Sequence, residues 1–90
     1  MSKILHLNLK KIYFDQIKDG SKKEEFRLQN DFWKQRLEGR DYDQIHIKCG
    51  YPKATDQERI IKRPWRGFTK KKVTHEHFGG DAFVYAIVVN

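Results

Sequence analysis

Ninety residues, 38% hydrophobic and 13% aromatic, suffice for one compact core and are too few for two, so residues 1–90 are expected to fold as a single domain. Nineteen Lys and Arg against twelve Asp and Glu give a formal charge of +7, which favours acidic partners. The lone cysteine, Cys49, excludes an intramolecular disulfide and a zinc site built of several thiolates, and it fits a reducing compartment.

Along the chain, Leu5, Leu7 and Leu9 alternate with polar residues, the period of a half-buried strand. No long apolar run occurs in the first twenty residues, so neither a signal peptide nor a membrane span is expected and the location predicted is cytoplasmic. From Lys10 to Asp19 the spacing of Ile12, Tyr13, Phe14 and Ile17 predicts a helix stopped by Gly20. Lys22–Leu28 reads as a second strand, with Lys23, Glu25 and Arg27 on one face. Asn30 or Asp31 caps a short helix through Leu37, anchored by Phe32, Trp33 and Leu37, with Phe32 inward and Trp33 partly exposed. Gln44–Lys48 forms a third strand, broken by Gly50-Tyr51-Pro52.

Arg59–Arg63 is a short strand that Pro64 interrupts, and Ala82–Val89, rich in β-branched and aromatic residues, is a central one. Between them, Phe68–Asp81 reads as loops, at Lys70-Lys71-Lys72 and Gly79-Gly80, around one further strand at Val73. The whole predicts an α+β fold, a small mixed sheet or open barrel with one or two short helices. Lys53–Lys72 holds eight basic residues against Asp56 and Glu58. Its Lys53, Arg63, Arg66 and Lys70, with Trp65, supply the cations and the flat ring that single-stranded nucleic acid requires; a solvated basic loop has the same composition.

Gly20-Ser21-Lys22-Lys23-Glu24-Glu25-Phe26-Arg27 fits G-x-K-x-x-E-x-R at the turn from the first helix into the second strand. A lysine at the strand mouth beside a glutamate and an arginine orients a phosphate or the polar edge of a base; the same three residues also make an ordinary surface ion-pair network. The run from Leu5 to Arg27 resembles an ASCH domain of the PUA-like superfamily, in particular the small bacterial and phage type. The likeness continues through Phe32-Trp33-Lys34-Gln35-Arg36-Leu37, Tyr42-Asp43-Gln44-Ile45, Gly50-Tyr51 and the closing strand.

The resemblance implies a PUA-like β-barrel with a cleft beside the motif that binds RNA or a nucleotide, lined by Lys22, Glu25 and Arg27. Trp33, Lys48 and Tyr51 are further candidates there, the rings for stacking and Lys48, Tyr51 and Lys53 as residue types a ribonuclease would use. Within the superfamily, a small amidohydrolase that deacetylates N4-acetylcytidine pairs the motif lysine with a threonine. Glu25 stands where that threonine aligns, so a hydrolase reading would assign catalysis to Lys22 and Glu25 instead. An interaction or inhibitor module that turns its basic surface to an acidic protein is a third reading. No motif calls for a cofactor. His75-Glu76-His77 lacks the further ligands a metal needs and reads as an exposed turn, His6 and His46 point away from the core, and Cys49 is a small buried thiol.

Overall fold

The computed structural model describes residues 3–76 and 79–90. In chain order it contains β1 (Ile4–Leu9), α1 (Lys11–Lys18), β2 (Glu24–Leu28), α2 (Asp31–Leu37), β3 (Gln44–Cys49), β4 (Ile60–Pro64), β5 (Phe68–His75) and β6 (Gly80–Val88), with a 3-10 turn at Gln57–Arg59 leading into β4. The strands make two three-stranded sheets, ordered β1-β3-β4 and β2-β6-β5. Only β1 and β3 run parallel; the other pairs are antiparallel. The fold is thus a small mixed α+β arrangement, and among the described residues the ladders do not close into a continuous barrel. No described helix is long and apolar enough to cross a membrane.

The inner pleat of β1 places Leu5, Leu7 and Leu9 beside Ile45 and Ile47 of β3, with Ile61 of β4 next in register to Ile47. Tyr85, Ile87 and Val89 from the end of the chain join the same core, as do Phe14 and Ile17 of α1 and Leu37 of α2. On the central strand β6, Val84, Tyr85, Ala86 and Ile87 are all buried, so both of its faces are covered. That explains a run of apolar residues without alternation. Pro64 ends β4 at a sheet edge, where a residue without an N–H is tolerated, and Gly67, at φ +84°, turns the chain toward β5.

Two expectations are corrected. Phe68–His75 is one eight-residue strand and not loops around Val73. Its polarity hid it: β5 is an edge strand, and edges carry lysines that discourage pairing with another chain. Phe32, expected inside, is 52% exposed. Helix α2 makes only two turns, Trp33 and Leu37 share its inward stripe at i and i+4, and Phe32 falls about 100° away from that stripe. Phe32 pairs instead with Arg36, whose guanidinium lies 3.4 Å from the ring centroid.

Core truncation should separate the two isoleucine environments. Ile47→Ala, at a fully buried position, is expected to cost about 2–5 kcal/mol in urea denaturation, whereas Ile12→Ala, at 61% exposure, should stay within about 0.5 kcal/mol.

Candidate functional site

The motif segment leaves α1 through a fixed turn. Gly20 sits at φ +85°, the Lys22 amide donates to the Gln16 carbonyl at 3.0 Å, and Asn90 Nδ2 donates to the Lys22 carbonyl at 2.7 Å. Both polar groups of the Lys22 backbone are therefore held, and the side chain starts from an anchored point. The Val89 amide donates to the Lys23 carbonyl at 3.0 Å, and β2 begins one residue later than that.

On β2, Glu25 and Arg27 share a face as the alternation predicts, with Arg27 Nη1 2.7 Å from Glu25 Oε1. Lys22 precedes the strand, so its side chain is free of the pleat and its Nζ comes to 3.7 Å from Glu25 Oε2. That distance is an ion pair without a hydrogen bond. Glu25 is 7% exposed, and its Oε2 is buried with no hydrogen-bond partner. A carboxylate oxygen left in this state forgoes its water contacts and gains no hydrogen bond in return, a cost of about 1–3 kcal/mol that the Lys22 ion pair offsets in part.

An open cleft of about 500 Å3 surrounds this group, within the usual range for small-molecule sites. Its walls include the rings of Tyr13, Phe26 and Trp33, and its charges are Lys10, Lys22 and Arg27 against the single carboxylate of Glu25. Lys22 Nζ lies 5.3 Å from the Tyr13 ring centroid and 6.0 Å from that of Phe26, while the Arg27 guanidinium lies 5.4 Å from the Trp33 ring. Arg27 is further fixed by donating to the Phe26 carbonyl at 2.9 Å and to the Asn8 carbonyl at 3.3 Å. Both cations are thus set against aromatic faces as well as against the carboxylate, which limits the geometries they sample. Asn30 caps α2 by accepting from the Trp33 amide at 3.0 Å, and this places Trp33 at the cleft wall.

Of the expected ligand residues, Lys22, Glu25, Arg27 and Trp33 come together in the cleft. Lys48 and Tyr51 are not among its lining residues: Lys48 sits on β3, and Tyr51 is 93% exposed in the turn after it. Asn8, Tyr13 and Phe26 were not expected and do line it. Tyr13 lay within the apolar run of α1, where it is indistinguishable by spacing from a core residue, and Asn8 is an outward position of β1 brought there only by the fold.

The basic stretch is divided between the two sheets. Arg59 pairs with Asp56 at 3.6 Å, Lys70 with Glu38 at 2.7 Å, Lys71 with Glu24 at 2.7 Å and Lys72 with Asp81 at 3.6 Å. Glu38 also accepts from the Tyr85 hydroxyl at 2.6 Å; the Lys70 and Tyr85 bonds hold its carboxyl below the usual range, and burial with that carboxylate pushes Tyr85 up to about 12. Trp65 is half-buried and packs edge-to-face on Tyr42. Arg63 and Arg66 flank a smaller notch, and among the described residues they and Lys53 form no ion pair. Cys49 is half-buried against the core. His77 of the expected His75-Glu76-His77 turn lies outside the described residues, among which no cluster suited to a metal ion occurs.

Breaking the Glu25–Arg27 pair from one side should be worse than removing both partners. Arg27→Met strands a buried carboxylate and is expected to lose about 3 kcal/mol in urea denaturation, whereas the Glu25→Leu, Arg27→Met double variant should lose less than the single one.

No family model, curated protein or solved structure matches the chain, so the geometry of the cleft carries the functional reading.

Proposed function

We infer that this chain is an RNA- or nucleotide-binding domain of the ASCH type, its two three-stranded sheets a PUA-like arrangement without barrel closure among the described residues. The observation that carries this reading is the buried Oε2 of Glu25, a residue of the cleft wall, without a hydrogen-bond partner and 3.7 Å from the Lys22 ammonium. An acceptor and a donor side by side match the polar edge of a nucleobase, which presents a donor next to an acceptor. The three rings of the cleft give the flat apolar contact that bases stack on, and Lys10 and Arg27 supply charge for a phosphate.

A panel of nucleosides, nucleotides and short single-stranded RNAs, titrated at low salt by calorimetry or fluorescence anisotropy, tests it. Binding should weaken as salt rises, and Lys22→Ala and Glu25→Gln, each shown to be folded by thermal melting, should lower affinity tenfold or more. No binding by any member of the panel at low salt would overturn the reading.

A second reading, hydrolysis of an acylated nucleoside, is favoured by one distance: Lys22 Nζ and Glu25 Oε2, at 3.7 Å, are close enough to pass a proton through the group bound between them. Incubation with N4-acetylcytidine should then release cytidine and acetate, and Lys22→Ala should abolish it. Absence of both products at enzyme concentrations equal to substrate rejects this activity and leaves the binding reading intact.

A further inference from the structure

The outer face of the β1-β3-β4 sheet carries a second group of basic side chains that the cleft does not use. With Leu5, Leu7 and Leu9 inward, His6 and Asn8 point outward from β1; His46 and Lys48 do so from β3, and Lys62 from β4. The registers align them in rows: His6 with His46 and His46 with Lys62, then Asn8 with Lys48. The two imidazoles meet edge-to-face at 5.6 Å. The remaining outward positions are Ile4, Gln44, Ile60 and Pro64, so no carboxylate lies on this face, and among the described residues Lys48 and Lys62 form no ion pair. This contrasts with β5, where all three lysines are paired.

The face is continuous with the cleft through one residue. Asn8 lines the cleft, its carbonyl accepts from Arg27, and its side-chain amide donates to the Gly50 carbonyl at 2.6 Å, which fixes the turn that presents Tyr51. His6 is two residues along the same strand face from Asn8, about 7 Å away.

We propose that the outer face of the β1-β3-β4 sheet is a phosphate track for single-stranded RNA, in which His6, His46, Lys48 and Lys62 hold the backbone of a strand that leaves the cleft at Asn8. Its direction rests on the cleft reading above; its existence does not. Charge complementarity selects a polyanion, and the two imidazole rings, with the exposed Tyr51 in the turn after β3, supply the flat surfaces that favour a nucleic acid over an acidic peptide.

The track also makes binding depend on pH. In the free protein, burial and then the charge of Lys48 hold His6 below its ordinary value of 6.5, and burial followed by His6, Lys62 and Lys48 does the same for His46. Gln44 Oε1, 2.9 Å from His46 Nε2, is neutral, so both rings face only cations and neutral groups. A phosphate laid across them favours the protonated form and raises both values, so binding takes up protons and tightens as pH falls through the imidazole range.

The test uses the full chain, an eight-nucleotide oligouridylate and uridine monophosphate, titrated at pH 5.5 and 7.5 and across a salt series. The oligonucleotide should bind several-fold tighter at pH 5.5, and His6→Gln, His46→Gln should remove that difference. Lys48→Gln, Lys62→Gln should flatten the slope of log affinity against log salt by about 1.4, the share of two phosphate contacts on a single strand, while leaving the mononucleotide affinity unchanged. Unchanged oligonucleotide affinity and slope in the lysine variant, or a pH difference that survives the histidine variant, overturns the track. So does a polyglutamate chain of equal charge that binds as tightly. If the mononucleotide fails to bind while the oligonucleotide still binds through Lys48 and Lys62, the cleft reading falls and the track stands.

Discussion

Glu25 is the constraint around which the site is organised. A carboxylate buried on a short strand is tolerable only with opposite charge beside it, and β2 supplies that from the next outward position on the same face, Arg27. Arg27 in turn reaches the Phe26 and Asn8 carbonyls and lies against Trp33, so a single ion pair links β2 to β1 and α2. Removing the charge would relax each of these contacts. What the pair leaves unmet is one buried carboxylate oxygen, on a residue of a cleft wall that also carries rings and cations. Polar groups left without partners in this way are what a ligand with a hydrogen-bond donor is suited to fill.

Much of the frame was legible from the residues. Alternation in Leu5–Leu9 and Gln44–Lys48, helical spacing with a glycine stop at Gly20, and the Asn30 cap each depend on local chemistry, and each appears where that chemistry places it. The shared face of Glu25 and Arg27 follows from the pleat alone. The failures have a common origin in tertiary context. Lys70-Lys71-Lys72 looks like a loop until an edge is known to need it and Glu24, Glu38 and Asp81 are known to lie opposite. Tyr13 and Asn8 join the cleft through approaches between segments that have no signature in either. Phe32 and Trp33, adjacent and both aromatic, cannot be ranked by hydrophobicity; the angle between them on a two-turn helix decides which one is covered.

The density of basic residues along the chain is a poor guide to where unpaired cations gather. Four of the eight cations in the Lys53–Lys72 stretch are paired once folded, because strand partners and neighbouring turns bring carboxylates to them. Lys62, from within that stretch, and Lys48, from outside it, meet on one sheet face, and among the described residues neither forms an ion pair.

The paired lysines of β5 have a bearing on self-association. An outermost strand presents a row of free backbone groups that a second copy could extend. Lys70 and Lys71 are tied by short bonds to Glu38 and Glu24, and their charges stand along that row. A neighbouring copy approaching edge to edge would have to strip water from the same ammonium groups on both sides. The sheet edge is thus guarded against the growth of a shared sheet wherever copies of the chain are crowded together.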